Sequence, residues 1–356
     1  MLQVALAICP PERNEGTMPG IPHPVLFIHG FDGTPADWTN DGFPQFLVQQ
    51  GGFNPDLIRL FHFGWDEEGD YNNRGDIRQI ASRLMGRGAK TAVDVSSSLA
   101  HLRRDSIAKG GPARVDVVAH SLGGLVARYY LSRREPDEFG TVYQDDVRRL
   151  ITIGTPHLGV DLTRVLDLIP PGSLLRRAAQ WAGRWLRCRR DPAEQLQEAE
   201  DAVHNWQQRA RRDTFRRLGA RAVDRLDSPA LRQIQPGSEF LAALNAPGAM
   251  PRDVEYDALY GDVRVHLQVW MGRAWLLYER TISLGDLLIP VETARTIPNA
   301  PVRAYGFSHQ EEVTIWLGRA VEGLTGLWAE LPPCYHGNLR RNRAVQARVL
   351  SILTDD

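Results

Sequence analysis

Short, mostly apolar runs that end at a glycine or serine turn restrict the fold of this chain more than any other feature. Three of them are Val25–Ile28 before Gly30, residues 115–119 before Ser121, and residues 148–153 before Gly154. Runs of this length, bounded by turn residues, are typical of strands buried on both faces of a parallel sheet. We expect further strands at residues 57–63, 254–260 and 302–307.

Amphipathic helices separate these runs. Apolar residues recur at helical spacing in residues 91–108, and residues 121–131 are expected to form the next helix. A last helix is predicted near the C-terminus, with Asn338 as its N-cap and with one apolar face formed by Val345, Val349, Ile352 and Leu353. Alternating strands and helices favour right-handed βαβ units, and therefore an α/β fold with a mostly parallel central sheet flanked by helices.

The pattern changes in the middle of the chain. Residues 161–249 are rich in arginine, tryptophan and leucine and contain no convincing strand. We therefore predict a core made of residues 1–160 and 250–356, interrupted by a helical cap or lid at 161–249. Two interpretations of the cap stay open: a mobile amphipathic lid that makes transient contact with a lipid interface, or a fixed cap packed on the core. Residues 262–284 are predicted to form an additional hairpin that carries Trp270 and Trp275.

Composition excludes several classes of function. A formal net charge of -1 gives no argument for nucleic acid as a partner, and three cysteines do not make a disulfide framework. No P-loop, dinucleotide fingerprint or HExxH motif occurs, so no cofactor is predicted. No metal site is predicted either, although His62 and His157 lie near aspartates. The short apolar stretch at residues 2–8 makes a poor signal peptide, so a cytoplasmic and a secreted location both stay open, as does the oligomeric state.

The sequence AHSLGG at residues 119–124 lies at a strand-to-helix junction. In the G-x-S-x-G pattern, the serine occupies a sharp, strained turn, and small residues two positions before and after it let the strand and the helix approach. Ala119 takes the place of the first glycine and is small enough for this role. Ser121 is therefore predicted to be a nucleophile, the alternative being a serine that only caps the helix.

These residues resemble the nucleophile turn of the bacterial lipases, esterases and related deacylases of the α/β-hydrolase superfamily. The resemblance extends over most of the chain. Its other segments are VLFIHGFDG at residues 25–33, ITIGTPHLG at 151–159, GSEFLAALN at 237–245, GDLLIPVETA at 285–294 and HGNLRRN at 336–342. The resemblance implies an α/β-hydrolase fold, in which the catalytic residues follow in the order serine, acid, histidine.

A serine hydroxyl needs a histidine base, and the histidine needs a carboxylate that fixes its tautomer. The resemblance implies Asp286 as the acid and His336 as the base. Asp262 and, less favoured, Glu292 stay open for the acid, because Asp262 follows a strand directly. His309 stays open for the base. The resemblance also implies an oxyanion hole formed by the backbone N–H groups of Phe31 and Leu122, which lie after the first strand and after the nucleophile.

The expected activity is hydrolysis of carboxylic esters, either small molecules or lipids, through an acyl-enzyme on Ser121. A transferase, a thioesterase or an amidase with the same three residues is the main alternative. A binding protein with this fold and no turnover is a further one. The sequence does not indicate the length of the acyl chain.

Overall fold

A computed structural model describes residues 22–31, 33–63, 75–87, 92–161, 228–271, 275–317 and 332–355. Seven strands form one sheet in the order β2–β1–β3–β4–β5–β6, with β7 paired to β5. The strands are β1 (Val25–Ile28), β2 (Ile58–Leu60), β3 (Val115–His120), β4 (Val147–Ile153), β5 (Glu255–Met271), β6 (Trp275–Ser283) and β7 (Val302–Leu317). All paired neighbours are parallel except β5 and β6.

Helices cover both faces of this sheet. In the described part of the chain they are α1 (Pro35–Asn40), α2 (Phe43–Gly51), α3 (Ile77–Ser82), α4 (Ala92–Ser96), α5 (Leu99–Ala108), α6 (Leu122–Ser132), α7 (Pro229–Gln233), α8 (Glu239–Leu244), α9 (Val291–Ala294) and α10 (Arg343–Thr354). Short 3-10 turns occur at Pro55–Leu57, Arg83–Met85 and Leu339–Arg341.

The central strands are apolar on both faces because two separate cores pack against them. All four residues of β1 are fully buried: Leu26 and Ile28 join the core that contains α3, α5 and α6, while Val25 and Phe27 join the core that contains α1, α2 and α10. Successive side chains of a strand point to opposite faces, so a strand with helices on both faces reads as a continuous apolar run. The predicted mostly parallel sheet flanked by helices is confirmed.

The structure corrects two details of the predicted elements. The single helix predicted at residues 91–108 is replaced by α4 and α5, with Ser98 as the N-cap of the second. The last helix begins at Arg343, and its N-cap is Asn342, whose side chain accepts a hydrogen bond from the N–H of Ala344 at 2.9 Å. The cap predicted at Asn338 is therefore wrong, since that residue precedes the 3-10 turn instead.

Strands β5 and β7 extend far beyond the runs from which they were predicted. They pair in parallel from Tyr256↔Val302 to Met271↔Leu317, and β6 pairs antiparallel with the second half of β5. The hairpin predicted at residues 262–284 is therefore present. Because β4 pairs with β5 only as far as Leu259, the distal parts of β5, β6 and β7 form a three-stranded extension beyond the carboxyl end of β4.

Most of the predicted cap, residues 162–227, lies outside the described residues, and the cap stays a prediction. The described end of that segment contains α7 and α8, whose residues Leu231, Ile234, Leu241 and Leu244 are buried in the core beside α3 and α6. Within the described ranges, no helix is long and apolar enough to cross a membrane.

Candidate functional site

Ser121 lies on a strained turn between β3 and α6. Its backbone angles are φ 54° and ψ -125°, a conformation that side-chain-bearing residues rarely adopt. The turn is held from both sides: the Ser121 N–H donates to the carbonyl of Ile153 at 2.9 Å, and the Ser121 carbonyl accepts from Gly124 at 3.1 Å. Strain of this kind persists only where the surroundings enforce it, and it is commonly found at functional sites.

A glycine is required two positions after Ser121 because α6 begins directly against the backbone of β1. A Cβ atom at Gly123 would lie 2.5 Å from the carbonyl oxygen of His29 and 2.7 Å from that of Ile28. Backbone oxygens cannot move aside as a flexible side chain does. Two positions before Ser121, the buried Ala119 suffices.

Asp286 and His336 form a buried acid–base pair in two loops that follow β6 and precede α10. The Nδ1–H of His336 donates to Oδ2 of Asp286 at 2.7 Å, and the backbone N–H of His336 donates to the Asp286 carbonyl at 3.0 Å. The other carboxylate oxygen accepts from the N–H groups of Leu288 and Ile289 at 3.0 and 2.7 Å. With Nδ1 engaged as a donor, Nε2 of His336 is left as a proton acceptor.

Leu287 adopts the left-handed conformation, with φ 72°, inside this acid loop. Glycine would adopt such a φ without strain. The carboxylate of Asp286 compensates by accepting the next two backbone N–H groups, so the tight turn forms with leucine in place of glycine.

The turns at the carboxyl ends of β1, β3 and β4 meet around this pair. A Cβ at Gly154 would lie 3.0 Å from Oδ2 of Asp286 and 3.1 Å from Nδ1 of His336, and one at Gly30 would lie 2.8 Å from the Cβ of Ser121. The chain reverses its direction of progress across the sheet at β1, with β2 on one side and β3 on the other. Such switch points are where open α/β sheets bind ligands.

The two predicted oxyanion donors lie beside Ser121. Leu122 is the first residue of α6, and Phe31 follows Gly30. Among the described residues, neither backbone N–H has an acceptor. The N-terminus of an eleven-residue helix adds a partial positive charge at the same place.

The alternative residues make their contacts elsewhere. Asp262 is buried but accepts hydrogen bonds from Ser283 and Arg264, at 2.5 and 2.6 Å. His309 lies on β7 and pairs with Glu311 at 2.6 Å. Glu292 is exposed and pairs with Arg295. The structure therefore brings Asp286 and His336 together and leaves these three outside the pair.

Sequence reasoning missed the part played by His120. Its Nε2 donates to the carbonyl of His336 at 3.2 Å, and its Nδ1 accepts from Arg340 at 3.1 Å. Burial, with the charges of Arg340 and His336, holds the pKa of His120 well below its usual range. The sequence signals were a histidine directly before Ser121 and an arginine four residues after His336.

Three other histidines, the buried His29 and His157 and the half-buried His62, brace loops. Burial lowers the pKa of His29 to about 3, and its ring stacks on Phe63 with 4.1 Å between centroids, so the neutral ring supports the loop of Gly30 and Phe31. His62 bonds to Asp94, and His157 bonds to Thr152. Across the described ranges no cluster of three or more His, Cys, Asp or Glu residues could hold a metal ion.

The strand order and the strained serine turn after β3 define the α/β-hydrolase fold. Within that class, the family model described as a domain of unknown function, DUF7379, matches residues 94–301, and the chain belongs to that family. The matched range includes Ser121 and Asp286 and ends before His336.

No curated protein matches the chain in sequence. Similar solved structures include the mature lipase BlEst2 of Bacillus licheniformis, with 15% identity over 97% of this chain and 96% of that chain and a TM-score of 0.45. They also include the Staphylococcus hyicus lipase (12% identity, 98% of each chain, TM-score 0.43) and EstA from Clostridium botulinum (13% identity, 96% and 90%, TM-score 0.42).

Proposed function

We propose that this protein is a serine hydrolase that cleaves carboxylic esters, with Ser121 as nucleophile, His336 as base and Asp286 as the acid that orients the base. The observation that carries the proposal is the 2.7 Å bond from His336 Nδ1 to a fully engaged Asp286 carboxylate, in a loop whose His336 carbonyl accepts from His120, the residue before the strained Ser121. This arrangement supplies the three roles that acyl transfer from a serine requires.

In the proposed reaction, the Ser121 oxygen attacks the ester carbonyl while His336 Nε2 takes the hydroxyl proton. The resulting oxyanion is stabilised by the N–H groups of Phe31 and Leu122. His336 then gives its proton to the leaving alcohol, and the acyl group stays on Ser121. A water molecule, deprotonated by His336, attacks this ester in the second half and releases the carboxylic acid and the free serine.

Asp286 has a defined part in both halves. While His336 carries two protons, the carboxylate stabilises the imidazolium through Nδ1, and the bonds from Leu288 and Ile289 keep it from rotating away. His336 is 7% exposed and Asp286 is 1% exposed, so this charge pair acts in surroundings where electrostatic interactions are strong.

The test is hydrolysis of p-nitrophenyl esters from acetyl to palmitoyl by the wild type and by Ser121→Ala. We expect turnover that the substitution lowers at least ~10³-fold, because no other group takes the acyl intermediate. Ser351→Ala, which removes an exposed hydroxyl on α10, is the matched control and should retain full activity. The chain length with the highest kcat/KM identifies the acyl class.

A fluorophosphonate label gives a second, substrate-independent readout. It should modify Ser121 in the wild type and in Ser351→Ala but not in Ser121→Ala. Turnover that survives Ser121→Ala would reject the proposal. Accumulation of an alkyl ester when a competing alcohol is added would instead indicate that the acyl group is normally passed to an acceptor other than water.

A further inference from the structure

His120 is held by both of its ring nitrogens from a single loop. The backbone carbonyl of His336 accepts from Nε2, and the guanidinium of Arg340, four residues later, donates to Nδ1. The rings of His120 and His336 lie 4.7 Å apart. The residue before the nucleophile and the loop of the histidine base are thus joined at two points.

Arg340, together with the carbonyl of His336, determines which nitrogen of His120 carries the proton. A guanidinium has only N–H donors, so the nitrogen that faces it must be an acceptor. Nδ1 is therefore unprotonated, and the neutral ring carries its proton on Nε2, the nitrogen that faces the carbonyl of His336. A doubly protonated ring would direct an N–H at a cation.

Arg340 is itself fixed at its other end. Its Nε donates to Asp41 at 2.8 Å, and the side chain of Asp41 is 3% exposed. The guanidinium also lies over the ring of Trp38, 5.7 Å from its centroid. A line of polar contacts therefore runs from the turn after α1, through Arg340 and His120, to the backbone of the histidine base.

We propose that His120 is a positioning residue for His336: locked by Arg340 as its Nε2–H tautomer, it fixes the His336 backbone, and hence the position of the Nε2 atom that acts as the base in the proposed reaction. This inference rests on the proposed function. Asp286 holds the ring of His336 at Nδ1 and its backbone at N–H, while His120 holds the backbone at the carbonyl. A base fixed at three points keeps its reacting nitrogen in place without a contact to that nitrogen.

The tautomer is measured directly by nitrogen–proton NMR of ring-labelled histidine, with the His120 signals assigned by their loss in His120→Gln. We expect protonated Nε2 and bare Nδ1 in the wild type from about pH 5 to pH 8. The charged or titratable groups around the ring are Arg340, His336 and His29, with Asp41 behind Arg340. In Arg340→Met only the carbonyl of His336 still favours Nε2–H, so a measurable fraction of the Nδ1–H tautomer should appear beside it. Arg348→Met, the control at an arginine of α10 that stacks on Tyr305, should leave the spectrum unchanged.

Kinetics provide the second arm. His120→Leu should lower kcat about 10- to 100-fold and leave KM within about twofold, because ground-state binding does not use the base. His120→Gln retains an amide donor near the position of Nε2 and should recover most of kcat. Arg340→Met, which leaves Asp41 paired with Arg341, should lower kcat less than His120→Leu and serves if the latter does not fold.

The outcomes separate the two proposals. If Ser121→Ala retains ester turnover, the proposed function fails, and the tautomer together with hydrogen exchange of residues 336–341 decides the positioning claim by itself. Faster exchange in His120→Leu, with an unchanged rate in Arg348→Met, supports it. A proton on Nδ1 in the wild type, or a kcat of His120→Leu within about twofold of the wild type, would overturn it.

Discussion

The two ends of the same strands are built differently. At the amino ends of β3, β4 and β5, long charged side chains neutralise one another. Asp116 pairs with Arg148 at 2.6 Å, and Arg149 pairs with Glu255 at 2.8 Å. Arg303 on β7 extends this network to Asp257 at 2.8 Å.

The carboxyl ends of these strands have small residues and strained turns instead. Ser121, Gly154 and Gly261 follow the strand segments there, and the Asp286–His336 pair lies against them. A Cβ at Gly261 would contact Cys334 and Asp286, so this position leaves room for the acid loop. One end of the sheet is thus held together by ion pairs, while the proposed reacting groups Ser121, Asp286 and His336 lie at the other end.

If the two ends of the sheet differ in this way, substitutions at the carboxyl end should change kcat more than the free energy of unfolding. Asp286→Asn is the strongest case. It keeps the size of the side chain but lets His336 adopt the wrong tautomer, and we expect kcat to fall ~10⁴-fold. The matched substitution is Asp262→Asn, which should leave kcat within tenfold, roughly, because Asp262 bonds to Arg264 and Ser283. The reverse ranking would assign the acid role to Asp262.

Substitutions at the amino end should change the free energy of unfolding more than kcat. Arg148→Met leaves the carboxylate of Asp116, which is fully buried, without its bidentate partner. We expect a loss of about 3–5 kcal/mol in the free energy of unfolding, measured by urea denaturation, while kcat of the folded protein stays unchanged. The double variant Arg148→Met with Asp116→Val should recover most of this loss. A fall in kcat without a loss of stability would contradict the proposed difference between the two ends of the sheet.

Asp146 differs from the other carboxylates at the amino ends of the strands. It lies just before β4 and accepts its hydrogen bond from a neutral group, Tyr130, at 2.7 Å. Burial raises its pKa to about 6. The folded protein therefore binds this proton more tightly than the unfolded chain, so the contribution to stability is full below about pH 4 and is lost as the pH rises through about 6. Asp146→Asn should be more stable than the wild type at pH 8, by at most about 3 kcal/mol, and equal to it near pH 4.

The test is to measure the free energy of unfolding of Asp146→Asn by denaturant at both pH values. Glu135→Gln, which removes an exposed carboxylate, is the matched control. A variant that is less stable than the wild type at pH 8 would show that the charged Asp146 stabilises the fold.

The smallest effect is expected at Leu287, where strain and packing oppose each other. Its φ of 72° costs about 1–2 kcal/mol, and its side chain packs at the edge of one core. Leu287→Gly should therefore change the free energy of unfolding by less than about 1 kcal/mol, because relief of strain offsets the lost contact. Leu287→Val keeps an apolar side chain but adds a β-branch at positive φ, and it should be clearly less stable than Leu287→Gly. Equal stabilities would show that the turn is not strained.

Local steric rules explain why the central strands and the turn at Ser121 could be predicted from the sequence. The positions of β1, β3 and β4 follow from their burial on both faces, and the turn at Ser121 follows from the need for Ala119 and Gly123 beside it. The choice of Asp286 over Asp262 did not follow from such rules, since both come after strand segments. Only the structure shows that Arg264, two residues further on, engages Asp262.

The missed features depend on contacts that are distant in sequence. The distal half of β5 alternates polar and apolar residues, so it lacks the continuous apolar pattern of the core strands, and its pairing with β7 fixes its length. The N-cap of the last helix is Asn342 rather than Asn338, because residues 339–341 form a 3-10 turn, from which Arg340 reaches His120. Arg340 and His120 are 220 residues apart, so no local sequence pattern reveals their contact.

The contact between His120 and the carbonyl of His336 closes a span of 216 residues. Contacts of such high order form late, since the entropy of closing a long segment must be lost before the interaction is gained. The turn at Ser121, with α6 packed on β1, can therefore form before His336 reaches it. Recovery of serine reactivity during refolding would report docking of the segment around His336 rather than formation of the sheet.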